Sequence, residues 1–352
     1  MRRRSFVGGL AAVVGSAAVA SPAAAVTPRW SALPMPAAGA DPWASQIAAR
    51  GPREAWATGS ALAGDGTRLP FLYRWDGTAW SRDTTFPGPD VPGWLRDVEF
   101  VGDEVWFFRS RDGAGEILRR SAQGWSTVPL PQTLWYYQDF TAAQGAAWVV
   151  GEDDTGMKVL HYDGSGWTTQ PNPDGVLFIA GVTARTATDA WARADLSDGG
   201  DIILHWDGTA WRDAQVPLPP DSNVHKLLLE PDNRITIGGW QRVGEESRAF
   251  VMTFNGRTWR TTYPPLGEIY LERMARGPDG ALWVPVISDR AFQSKYARVD
   301  GRRVTFSYGP ERTNAIEVKA QELATVGSSL MSFGTAEIYG SKPNLMSERL
   351  GG

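Results

Sequence analysis

A chain of 352 residues with 42% hydrophobic, 21% charged and 11% aromatic content is long enough to bury a large core, and too apolar for wholesale disorder. Its net charge of −4, from 35 Lys and Arg against 39 Asp and Glu, argues against a phosphate-backbone partner, so no nucleic acid is expected. The absence of cysteine excludes disulfides, a thiol nucleophile and a lipidated cysteine anchor, and leaves packing to hold the fold.

The N-terminus reads as an export signal over residues 1–25. Three arginines (Arg2, Arg3, Arg4) precede an apolar stretch from about Phe6 to Ala20, and Ala23-Ala24-Ala25 supplies the small residues of a cleavage site. Arg3-Arg4-Ser5-Phe6-Val7 looks like the twin-arginine form, although arginine pairs also occur in ordinary secretory signals, and both routes stay open. The apolar stretch falls short of the roughly 20 residues of a membrane span, so a secreted, extracellular protein with no span in its mature form is expected. Loss of the three arginines leaves 32 basic against 39 acidic residues, a net charge of −7.

From there one pattern recurs about every 45 residues. Six β-hairpins stand out: RWDGTAW (Arg74 to Trp80), RSAQGW (Arg120 to Trp125), HYDGSGW (His161 to Trp167), HWDGTAW (His205 to Trp211), TFNGRTW (Thr253 to Trp259) and RVDGRRV (Arg298 to Val304). In Ile202 to Trp211 an alternating apolar run enters Asp207-Gly208, a dipeptide that accepts the positive φ angles of a tight primed turn. About 20 to 24 residues before most closing Trp residues lies a second apolar strand with its own Trp, at Trp56, Trp106, Trp148, Trp191 and Trp283, with Ile237 in that place in RITIGG. A seventh copy surrounds Met331.

Adding an inner strand such as HKLLLE (His225 to Glu230) gives four strands per period, which is a propeller blade. The expectation is an all-β, seven-bladed β-propeller of four-stranded antiparallel blades over residues 26–345, followed by a short tail, 346–352. The seventh hairpin lacks a Trp-bearing return strand, whereas Thr27 to Pro36 matches one, so the N-terminal strand closes the last blade. Proline clusters such as Pro217 to Pro220 are blade connections rather than domain linkers.

The D-x-W-A strand followed by H-W-D-G-T-x-W resembles the repeats of secreted bacterial β-propellers, and DGTAW is similar to the end of the Asp-box hairpin of sialidase-like propellers. The resemblance implies architecture. The Asp box has a residue between its Asp and Gly, which Asp76-Gly77 and Asp207-Gly208 lack, and no position here matches the arginine cluster, acid and tyrosine of sialidases. That activity is therefore not carried over.

Eleven Trp in repeated positions (30, 56, 80, 106, 125, 148, 167, 191, 211, 259 and 283) are inter-sheet packing, and the same reading covers Trp75 and Trp206, just before the Asp-Gly turns, and His161 and His205, which share one repeated register. Subtracting them leaves Trp43, Trp94, Trp135 and Trp240, all in or beside the connections on the face opposite the hairpin turns. Arg96, Tyr136, Tyr137, Gln138, His225, Tyr270 and Glu272 lie near them. Aromatic platforms beside polar groups in a concave mouth suit a sugar ring or an extended peptide. The expected ligand site is Trp43, Trp94, Arg96, Trp135, Tyr136, Gln138, Trp240 and Tyr270, with carbohydrate or an extracellular protein as partner and a monomeric state. Several of these aromatics fall 12 or 13 residues before the second-strand position, so capping of the blades is the competing reading.

No catalytic or metal residue is expected, since three His and no Cys make a transition-metal site improbable. Two further classes stay open. One is a glycan-active hydrolase or lyase using Glu272, His225 or the acidic loops at the channel mouth, and the other is a structural module of the cell surface. The loops Glu152-Asp153-Asp154 and Asp195, Asp198, Asp201 could hold Ca²⁺, although solvated charge explains them as well.

Overall fold

The computed structural model describes residues 29–111, 114–230, 232–266 and 271–351. The expected export signal, residues 1–25, and Tyr270 lie outside the described residues. Seven four-stranded antiparallel sheets form a seven-bladed β-propeller, with first strands at Ala40–Gly51, Trp94–Val101, Tyr136–Ala143, Val176–Thr186, Ser222–Leu229, Ala275–Arg276 and Ala315–Val326 in blades 1 to 7. The described residues include no helix long and apolar enough to cross a membrane.

The hairpins owe their shape to two residues with different tasks. Gly77, Gly164, Gly208 and Gly256 take φ of 90° to 105°, which side chains resist. The preceding Asp76, Asp163, Asp207 and Asn255 keep negative φ and act through their side chains. Each Oδ1 accepts the backbone N–H groups two and three residues on, for example Thr78 at 2.8 Å and Ala79 at 2.9 Å from Asp76. Only the glycine supplies the positive φ expected of the Asp-Gly pair.

The strand after each inner strand buries its Trp against the next blade. Trp148 and Trp211 share the cluster between blades 3 and 4, and Trp191 and Trp259 the cluster between blades 4 and 5. In register, each second-strand Trp lies opposite a cationic or imidazole side chain of the hairpin: Trp56 opposite Arg74, Trp106 opposite Arg119, Trp148 opposite His161 and Trp191 opposite His205. The Arg119 guanidinium sits 4.5 Å from the Trp106 ring centre, and the His161 ring stacks 4.9 Å from that of Trp148, so the repeated His residues belong to packing. The same register corrects one sequence assignment. Thr236, paired with Thr253, occupies the Trp position of blade 5, and Ile237 points to the other face.

The last blade closes as expected, with Arg29–Leu33 pairing antiparallel to the C-terminal strand. Trp30 there stacks on Tyr296 at 3.8 Å and donates its indole N–H to Ser307 Oγ at 3.0 Å. The expected tail is corrected: Asn344–Gly351 is the third strand of this blade, between Ser329–Ile338 and the N-terminal strand. It lacks the Asp-Gly turn and the Trp that mark the other hairpins. Its burial of Met346 and Leu350, and of Glu348 in hydrogen bonds from Ser294 and Tyr296, fixes it in the sheet.

Candidate functional site

The inner strands share one irregularity. In six blades the pairing of the first with the second strand skips a residue three positions before the partner of the second-strand Trp or its equivalent (Thr236 in blade 5, Met331 in blade 7), a β-bulge that sets Ser45, Arg96, Gln138, Ala180, His225 and Gln321 outside the strand register. Glu272 holds the equivalent place in blade 6, three residues before Ala275, the partner of Trp283. A bulge re-aims consecutive side chains, so these residues and those following them gather round the central channel. They line a cavity of about 380 Å³ at its mouth.

This cavity unites Trp43, Arg96, Gln138, His225 and Glu272 from the sequence expectation. Trp94 stands at its lip, edge-on to Trp43 at 6.3 Å. Arg96 stacks over Trp94 at 4.7 Å and lies 5.7 Å from the Tyr137 ring, with its Nε donating to Ser110 Oγ at 3.1 Å. Trp43 is 50% exposed, an indole left open beside a polar cavity. Trp135 and Tyr136 are exposed but do not line the cavity, and Trp240 is half-buried in the second strand of blade 5, paired with Asn223 and Ala249.

Two of the gathered residues also stitch blades together. Gln138 Nε2 donates to Ala180 O at 2.9 Å, and His225 Nδ1 accepts the Leu271 N–H at 3.0 Å. Burial pushes the His225 pKa down, and Glu272 works against that shift. With Nδ1 accepting that backbone N–H, the neutral imidazole carries its proton on Nε2.

Residues that the sequence did not single out give the cavity its electrostatics. Asp97, Glu99 and Asp139 form one wall with Tyr137, whose hydroxyl donates to the Asp97 carboxylate. Asp139 Oδ2 accepts the Val182 N–H at 2.8 Å. Burial, then the neighbouring Asp139, raises the Asp97 pKa. Burial, then Asp97, pushes Glu99 up to about 8, so Glu99 carries a proton at neutral pH. The Tyr137 hydroxyl is held well above its ordinary value by burial and by these carboxylates. Arg193, Lys226 and Arg273 stand across the cavity; Arg273 is paired with Glu322, whereas Arg96, Arg193 and Lys226 make no ion pair with the described residues. Carboxyl groups thus gather on blades 2 and 3 beside Arg96, and cationic groups on blades 4 to 6 beside Glu272.

Two of the loop acids are engaged within the fold. Asp153 accepts from Thr155 and pairs with Lys158 at 2.9 Å, which holds its pKa down at about 2, and Asp201 accepts the Val224 N–H. Among the described residues no group of three His, Asp or Glu is arranged to hold a metal ion.

No family model and no curated protein matches the chain. Solved structures do. The structure titled YCF48 bound to D1 peptide aligns over 94% of this chain and 97% of its own, with a TM-score of 0.54 and 15% identity. The GH74 xyloglucanase from Xanthomonas campestris aligns over 89% of this chain and 53% of its own, with a TM-score of 0.55 and 15% identity. An oligogalacturonate lyase in complex with manganese aligns over 85% and 86%, with a TM-score of 0.56 and 11% identity. At these identities the likeness shows the propeller fold alone.

Proposed function

We propose that this protein is an exported, non-enzymatic binding module that takes a carbohydrate or a segment of an extracellular protein at the channel mouth. The observation that carries the reading is the exposed Trp43 indole, set edge-on to Trp94 at the lip of a polar cavity. A ring held open to solvent at that position gives a flat apolar surface for a sugar face or a side chain, and the cavity behind it offers donors and acceptors. A cavity of about 380 Å³ speaks against a flat face filled by capping aromatics, the arrangement that a purely structural module would favour. The named neighbours include a propeller bound to a peptide and two glycan-active enzymes, so both ligand classes have a precedent on this fold.

A glycan-active enzyme is the second reading, and one observation favours it. Glu99 carries a proton at neutral pH beside Asp97 and Asp139, an arrangement that can supply a general acid and a base. These carboxylates, rather than His225, would do the chemistry. Arrays of cell-wall polysaccharides and of peptides, probed with the full chain with and without Ca²⁺, separate the possibilities. Binding that disappears in a folded Trp43→Ala, Arg96→Ala variant supports the module. Release of reducing ends or of unsaturated sugar that stops in Glu99→Gln supports the enzyme, and no binding to either array contradicts both.

A further inference from the structure

A second cavity, of about 350 Å³, lies on the other side of the molecule, between blades 5 and 6. Its origin is legible in the repeat. Each blade interface receives a second-strand residue from one blade and the closing residue of the next hairpin. These are Trp56 with Trp125, Trp106 with Trp167, Trp148 with Trp211, Trp191 with Trp259, Trp283 with Trp30 and Met331 with Trp80. Between blades 5 and 6 the two positions hold Thr236 and Val304, and the hydrophobic cluster there contains no aromatic residue among the described residues.

The space of two indoles is only partly refilled. Arg276 crosses it, donating to Thr236 Oγ1 at 2.7 Å and to the buried Glu230 at 2.6 Å and 2.9 Å. The remainder is a cleft with Val251, Leu282 and Val299 as its apolar floor and the Thr253 and Thr262 side chains on its wall. The exposed Arg260, which makes no ion pair with the described residues, stands at its edge, and Asn255, Thr258 and Gly301 of the hairpin turns form its rim. The cleft therefore opens on the hairpin face, opposite the channel mouth.

We infer that this cleft is a socket for an aromatic side chain presented by a partner protein. Blades 1 and 2 hold indoles against guanidinium groups of the third strand, as Trp56 does with Arg74 and Trp106 with Arg119, at the register that Thr236 and Thr253 occupy here. Arg260, in register with Thr253, offers the same cation to a ring that enters from outside. An apolar cavity of about 150 Å³ suffices for benzene, so an indole fits with room for its backbone. A large aromatic anchor seated in a preformed pocket is the usual centre of a protein–protein contact.

The test uses the full chain and N-acetyltryptophanamide as probe, followed by ligand-observed NMR. Saturable binding is expected, at least ten-fold weaker in Thr253→Phe, which fills the cleft, and about three-fold weaker in Arg260→Ala, which removes only an exposed cation. Leu282→Phe fills the cleft from the opposite wall and serves if Thr253→Phe does not fold. Weakening by the cleft-filling variants, whose substitutions lie away from the channel mouth, places the binding in this socket. Absence of saturable binding overturns the inference. So does equal binding to the filled variants, or equal binding of N-acetylleucinamide.

Discussion

The interface between blades 3 and 4 and the channel wall of blades 2 and 3 are built by the same repeat, yet they obey opposite rules. In the interface Trp148, Trp206 and Trp211 sit with Val150, Ile179 and Leu204, nearly all solvent is excluded, and neighbouring interfaces use the same residue types. On the channel wall the backbone repeats its bulge, whereas the side chains placed there differ from blade to blade: Gln46, Asp97, Asp139, Gly181, Lys226, Arg273 and Glu322. Repetition in side chain and backbone marks scaffold. Repetition in backbone alone, with varied charge, is what a recognition surface requires.

The largest expected effect belongs to the scaffold side. Trp148→Ala removes a fully buried indole and its stack on His161, and is expected to cost about 3 to 5 kcal/mol in chemical denaturation. A loss below 1 kcal/mol would break the contrast, because the interface would then tolerate substitution as a surface does.

The next effect is electrostatic and belongs to the wall. Glu99 has its pKa raised from 4.5 to about 8 by burial and Asp97, so the folded chain holds a proton that the unfolded chain has released between those values. The favourable contribution is complete below about 4.5 and is lost as pH rises through about 8. Stability should therefore fall with rising pH across this window. Glu99→Gln should flatten that slope and stabilise the fold at pH 8 by on the order of 1 to 3 kcal/mol. A slope unchanged by the substitution would place Glu99 in a solvated setting and weaken the wall's description.

Smallest in stability is the lip. Trp43→Ala removes an indole that is half exposed, and its effect on the melting transition should stay within about 0.5 kcal/mol, while affinity for a ligand found on the arrays falls at least ten-fold. A large loss of stability would return Trp43 to the blade caps.

The architecture was legible because hydrophobic alternation, Asp-Gly turns and periodic Trp all report local rules that recur. Legibility ended where a copy lost its markers. Asn344–Gly351 has no turn dipeptide and no Trp, so it reads as a tail although it is a central strand of the closing blade. RITIGG offers isoleucines where Trp is expected, and only strand register shows that Thr236 holds the position. At the site, Arg96, Gln138 and His225 were found because they lie near the leftover aromatics in the chain, and the bulge is what gives them one place in their strands. Asp97, Glu99, Asp139 and Lys226 were missed because a bulge reverses the alternation that assigns side chains to a face. The retrievable signal was a polar pair about nine to eleven residues before the second-strand position, present in every inner strand except that of blade 4, which has Ala180-Gly181.

The most direct test of a ligand site at the channel mouth is hydrogen–deuterium exchange of the full chain with and without a ligand recovered from the arrays. Protection concentrated in residues 43–46, 94–99 and 136–139, with the hairpin turns at 76–79 and 207–210 unchanged, is the expected result. Protection confined to the hairpin turns, or spread evenly over all blades, would contradict it.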